Sequence, residues 1–218
     1  MNVWKIAVVA GLAGAMAPDT AQAQTPFEAQ VLAVLNAVRE DPATFASKLR
    51  TFRTYFRGAS YVLPGEHVIN ETDEGFAAVD EAIADLAARR GVGSIAPAPL
   101  LEAAAADHVA EQKRTGQVGH GGLDGSAPGD RVRQRGGGEY VAEVIEYGAT
   151  DPLDVVRQLI VDDGVPDRGH RSILFDPRLR FAGVSCGPHP TYRTMCVIDL
   201  GVRSDGRENR TEFADATP

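Results

Sequence analysis

From Phe27 the apolar residues Phe27, Val31, Val34, Leu35 and Val38 recur every three or four positions, the spacing of one helix face. Asp41-Pro42 restarts the pattern: Asp41 reads as an N-cap and Pro42 suits the first helical position. Phe45, Leu49 and Phe52 continue the buried stripe. Residues 57–74 keep no period and carry a Pro64-Gly65 turn, so they read as irregular. Phe76, Val79, Ile83 and Leu86 mark a further helix, stopped by Arg89, Arg90 and Gly91. After Pro97 and Pro99 an alanine-rich helix runs from about Leu100 to Arg114 and ends at Gly116.

Residues 116–138 are glycine-rich and polar, and read as loops around one short helix near Asp130 to Gln134. Tyr140 to Tyr147 alternates enough to be a strand, and Asp151-Pro152 opens a helix with Leu153, Val156, Leu159 and Ile160 inward. Phe181 to Cys186 and Thr194 to Val202 pair as a hairpin around a Gly-Pro-His-Pro-Thr turn. Helices first and strands late, with the last two antiparallel, predict an α+β layered domain.

Charge and cysteine content narrow the setting. Lys5, the apolar stretch Ile6 to Ala17 and the small-x-small triplet Ala21-Gln22-Ala23 make a Sec-type signal peptide over residues 1–23. Its apolar run is short of the ~20 residues that span a bilayer, so no stable membrane anchor is expected. The mature chain then begins at Gln24, forms a single domain over 24–205, and ends in a polar tail, 206–218, expected to be disordered. Its destination is the periplasm or the medium. A net charge of −8 argues against nucleic acid as a partner, and Arg131, Arg133 and Arg135 make only a mild basic cluster. Two cysteines, Cys186 and Cys196, read as a disulfide across the hairpin, worth about 2–3 kcal/mol.

Three polar features interrupt this scaffold. His120 lies in the glycine run Gly119-His120-Gly121-Gly122, Glu143 sits inside the apolar strand, and His170 follows the acidic helix end Asp162-Asp163. Singly each has an ordinary explanation: an exposed loop histidine, a strand glutamate facing water (as Glu146 nearby would), a solvated helix end. Acids at a helix C-terminus do oppose its dipole, which invites a second explanation. His108 reads as a hydrogen-bonded core residue; His67 and His189 fall in turns and carry no signal.

Taken in order, these runs resemble the bacterial branch of the CAP superfamily (cysteine-rich secretory, antigen 5 and pathogenesis-related proteins). The resemblance rests on Gly119-His120, Ala142-Glu143-Val144-Ile145-Glu146-Tyr147-Gly148, Gly169-His170-Arg171-Ser172-Ile173-Leu174-Phe175-Asp176-Pro177 and Ala182-Gly183-Val184. Asn36-Ala37-Val38-Arg39 and the Leu100-x-x-x-Ala104 helix fit as well. It implies an α-β-α sandwich, a central antiparallel sheet flanked by helices, with a cleft carrying two histidines and two acids. Carried over by position, these are His120, His170, Glu143 and Asp162, with Asp163 the alternative second acid. The family's Gly-Glu-Asn is here Ala142-Glu143-Val144, the polar residue after Gly-His-Arg-x is Ile173, and Leu159 replaces an aromatic.

Two imidazoles suit a borderline cation such as Zn²⁺, so His120 and His170 are the candidate metal ligands, with the carboxylates orienting the rings. The first expectation is therefore a binding cleft for a metal and a small ligand, lipid or peptide. A metal-assisted hydrolase, with Glu143 as general base beside His120 and His170, ranks below it. The peptidase motif of two histidines four apart is absent, no Gly-x-Ser-x-Gly elbow occurs, and Ser126 and Ser172 have no catalytic context. A third expectation makes the tetrad a hydrogen-bonded brace, with loops 57–74 and 121–138 binding partners.

Overall fold

The computed structural model describes residues 26–209. The expected leader, 1–23, and residues 210–218 of the expected tail lie outside the described residues.

Helix α1 (Pro26–Glu40) and helix α2 (Pro42–Arg53) follow the two apolar stripes. Asp41 caps α2 by accepting a hydrogen bond from the Thr44 N–H at 3.0 Å. Strands β1 (Phe56–Arg57), β2 (Ser60–Tyr61) and β3 (Asn70–Glu71) form a small antiparallel sheet where the sequence showed no period. Two residues per strand are too few to establish alternation. Helix α3 (Phe76–Ala88), strand β4 (Ala96–Pro97) and helix α4 (Pro99–Thr115) come next. Then follow α5 (Pro128–Gln134), β5 (Val141–Tyr147), α6 (Pro152–Val161), α7 (Gly169–Leu174), β6 (Phe181–His189) and β7 (Arg193–Gly201).

The main sheet runs β4-β6-β7-β5. β5 and β6 flank β7 antiparallel, and the short β4 adds a parallel edge to β6. One face carries the large core, where Val144, Val184, Ile198 and Leu200 meet α1, α2, α3 and α6. The other carries Ile145, Met195 and Val197 against Ala105 and Val109 of α4. These are the three layers, helix on sheet on helix, that the family resemblance implies. Close approach of α4 explains a glycine: a Cβ on Gly183 would lie 1.9 Å from the Glu102 nitrogen.

Cys186 and Cys196 face each other across the β6–β7 ladder and are bridged. The chain past Arg203 holds further than its polarity suggests. Gly206 is buried and its carbonyl accepts from the Tyr140 N–H at 2.9 Å, so residues 205–207 are tied to the approach to β5.

Candidate functional site

Both histidines are held by carboxylates, but on different supports. His120 rides the loop after α4, where Gly119 takes φ +91°, a conformation that favours glycine. The loop is pinned from beneath. The Gly119 carbonyl accepts from Gln112 Nε2 at 2.6 Å and lies 2.8 Å from His108 Nε2, while the Gly119 N–H donates to the Tyr147 hydroxyl at 2.8 Å. Tyr147 in turn donates to Gln112 Oε1. His108, fully buried, is thus the hydrogen-bonded core residue expected.

The His120 ring donates through Nδ1 to Glu143 Oε1 at 2.8 Å. The other oxygen of Glu143 accepts from Arg131 Nη2 at 2.6 Å, and Arg131 Nη1 donates to the His120 carbonyl at 3.0 Å. One guanidinium therefore clamps both halves of the pair. Burial pushes the Glu143 carboxyl up, but the His120 hydrogen bond and the Arg131 charge outweigh it and hold it below the usual carboxylate range. Directly across the ladder from Glu143 stands Asp199, fully buried. Burial first, and the Glu143 charge second, raise its carboxyl well above the usual value.

His170 sits on α7 and is held from one residue. Asp162 Oδ1 accepts from His170 Nδ1 at 2.6 Å, and Oδ2 accepts from the main-chain N–H of His170 at 2.9 Å and of Arg171 at 3.3 Å. Asp162 reaches them because it ends α6 in the left-handed region, φ +58°. Asp163 has a different task, capping the N–H groups of Asp73 and Glu74. The unfavourable dipole of acids at this helix end is met by arginines. Arg171 donates to the carbonyls of Ile160 and Val161, and Arg168 to that of Asp162.

Beside His170 opens a cavity of about 280 Å³. Its wall is aromatic and aliphatic at Phe52, Phe56, Tyr61 and Leu159, and polar at Glu146, Arg157, Asp162 and His170. Of the four carried-over residues, Asp162 and His170 line this cavity; His120 and Glu143 do not. The four are thus tied as two pairs, both bordering β5: Glu143 lies on it, and α7 packs against it. The His120 side chain is 50% exposed and that of His170 25%, while both carboxylates are 1% exposed. Among the described residues no three or more His, Cys, Asp or Glu side chains are grouped to hold a metal.

The model of the cysteine-rich secretory protein family, CAP, matches residues 32–200. The chain belongs to the CAP family. Two solved structures resemble it weakly. An extracellular protein containing an SCP domain from Bacillus anthracis str. Ames is 17% identical with a TM-score of 0.42, over 50% of this chain and 34% of that one. An outer surface protein from Borrelia burgdorferi is 13% identical with a TM-score of 0.42, over 75% of this chain and 92% of that one. The chain spans about a third of the Bacillus protein's length. No curated protein matches the chain. Among the described residues no helix is long and apolar enough to cross a membrane.

Within this CAP domain, several residues that shape the site carried no sequence signal or a misleading one. Arg131 looked like one of a surface trio, yet it is 4% exposed while Arg133 and Arg135 face water. Glu146, expected to face solvent, is 3% exposed, because helices cover both faces of its strand. His189, expected in a turn, is buried at the end of β6, where its Nε2 donates to the Gln117 carbonyl. Asp199 was visible in principle as an acid inside Val197-Ile198-Asp199-Leu200, the same signal that singled out Glu143.

Proposed function

We propose that this CAP domain is an exported binding protein whose cleft along β5 takes a small ligand, with His120 and His170 offering ring nitrogens to a divalent cation such as Zn²⁺. One observation carries the reading: each imidazole is fixed through Nδ1 by a carboxylate that is itself buried and hydrogen-bonded. That is the arrangement by which carboxylates orient metal-binding histidines, and it leaves each Nε2 as the available lone pair. Imidazole suits a borderline cation, and water would have to complete its coordination, because among the described residues no three or more His, Cys, Asp or Glu side chains are grouped to hold one. When bound, such an ion supplies Lewis acidity toward an anionic or carbonyl-bearing ligand. The protein's own part is to hold the rings, and in the cavity beside His170 to offer an apolar wall.

At about 280 Å³ that cavity lies at the small end of ligand pockets, which favours a compact ligand or one residue of a longer one. Export is supported by the expected leader and by the disulfide, which suits an oxidising compartment. A role in binding is favoured over hydrolysis because Glu143, the candidate base, is already committed to Arg131 and His120 and lies outside the cavity lining.

Titration with zinc at neutral pH tests the reading, using wild type, His120→Ala and His170→Ala. Stoichiometry separates one ion shared by both rings from one on each. The expected result is zinc affinity weakened at least about tenfold by one or both substitutions, with His120→Ala changing stability by less than about 1 kcal/mol because its ring is half exposed. Unchanged zinc affinity in both variants removes the metal. A large loss of stability without any zinc response transfers the pairs to the brace reading, for which the Arg131 clamp is the favouring observation.

A further inference from the structure

β5 is the last strand of the main sheet, so one of its two edges has no strand beside it. Which main-chain groups face that edge follows from a single hydrogen bond. The Gly148 N–H donates to the Thr194 carbonyl at 3.0 Å, in the same register that pairs Val141 with Gly201 and Tyr147 with Met195. In an antiparallel ladder the bonding direction alternates residue by residue. Val144 and Glu146 therefore direct their N–H and C=O groups at β7, whereas Glu143, Ile145 and Tyr147 direct theirs away from the sheet. Among the described residues none of these outward groups has a hydrogen-bond partner.

An unpaired edge on an open surface would simply be hydrated. This one borders a hollow along its second half: Ile145, 7% exposed, lines it, while Glu143, 6% exposed, lies just outside it. The cavity beside His170 is lined by Ile145, Glu146 and Tyr147 in succession. Successive side chains point to opposite faces of a strand, so a cavity that touches three in a row meets the strand edge-on. Two further groups lining it lack partners, Oε2 of the buried Glu146 and Nε of Arg157. Buried polar atoms left unpaired cost free energy until a ligand or water satisfies them.

We infer that the outer edge of β5 pairs with an extended peptide segment, which adds a strand there through the main-chain groups of Glu143, Ile145 and Tyr147 and seats one apolar side chain in the cavity beside His170. The donors and acceptors recur every second residue, the repeat of an extended main chain. The wall of Phe52, Phe56 and Leu159 selects an aliphatic or aromatic side chain at the seated position. Affinity comes from the main chain and selectivity from the pocket, as in other cases where a peptide completes a sheet. This deepens the binding reading above and rests on the same cleft.

The test uses the full domain and a library of capped, randomised heptapeptides, with ¹H–¹⁵N spectra and amide exchange as readouts. Binders present at about 1 mM or below are expected to shift the amides of Glu143, Ile145 and Tyr147 and slow their exchange at least about tenfold. Those of Val144 and Glu146, already bonded to β7, stay as they were. N-methylating alternate residues of the best binder supplies a control that leaves the protein untouched. One of the two alternate sets should weaken binding at least about tenfold, and the other should not. If no peptide shifts the outward amides, or if both N-methylated sets bind like the parent, the strand-pairing proposal is overturned. Zinc titrated into the same samples keeps the two readings apart: a zinc response without peptide pairing sinks this inference alone, and peptide pairing without a zinc response sinks the metal alone.

Discussion

The two faces of β5 treat a buried glutamate in opposite ways. Glu143 and Glu146 are three residues apart on one strand and almost equally hidden, at 6% and 3% exposure. On the face toward α4, Glu143 is ionised because Arg131 and His120 meet both of its oxygens. On the opposite face, Glu146 accepts one hydrogen bond from the Ala149 N–H, and its other oxygen has no partner. Burial, with a smaller push from the Asp154 charge, lifts its carboxyl to about 8. Burial alone therefore does not decide a carboxyl's charge; the partner within reach does.

The largest expected effect comes from removing the partner that sets the first face. Arg131→Met leaves Glu143 ionised, buried and half paired, and should cost about 3–5 kcal/mol in denaturant unfolding at pH 7. Replacing both members, Arg131→Met with Glu143→Met, should recover most of that loss, since no charge then remains to be desolvated. A double variant as unstable as the single one would mean that packing, and not charge, is what Arg131 supplies.

On the second face the sign of the pH dependence is the test. The Glu146 carboxyl is raised in the folded state, so its contribution is fully present below the unfolded value near 4.5. It is lost as pH rises toward about 8, because over that window the unfolded chain ionises and the folded one does not. The slope is on the order of 1 kcal/mol lost per pH unit. Glu146→Gln should flatten that slope and stabilise the domain by about 1 kcal/mol or more at pH 7.5. Glu143 has the opposite sign: its carboxyl is lowered, so its contribution is present above the unfolded value and lost as pH falls through the folded one. Unfolding curves of wild type and Glu146→Gln from pH 4 to 8.5 that stay parallel would contradict the neutral Glu146.

What could be read in the sequence divides along the same strand. The helices announced themselves, because Asp41-Pro42 and Asp151-Pro152 are start signals with a mechanism and both side chains do cap. The histidines and Glu143 stood out as polar residues in the wrong company. Their partners did not, for a geometric reason. Arg131 reaches Glu143 from a helix of seven residues, too short for its inward and outward positions to show as a period. The alternation along β5 suggests one face in water, but helices cover both, so Glu146 is mistaken for a solvent-facing residue. Asp162 and Asp163 are adjacent and alike in sequence, and only the left-handed turn at Asp162 sends the two carboxylates to different tasks.

The smallest effect concerns how the His120 loop is held to the first face. Tyr147 belongs to β5, and its hydroxyl accepts from the Gly119 N–H while donating to Gln112. Tyr147→Phe keeps the ring against His189 and Tyr192 and removes only those two hydrogen bonds. The cost to global stability should be about 1 kcal/mol. A local readout is more telling, because Gly119 is the residue from which His120 projects. Its amide should exchange at least about fivefold faster in the variant, while amides of the β6–β7 hairpin keep their wild-type protection. An unchanged Gly119 amide would show that the Gln112 and His108 contacts to its carbonyl suffice to hold the loop, and that the strand contributes Glu143 to this pair and nothing more.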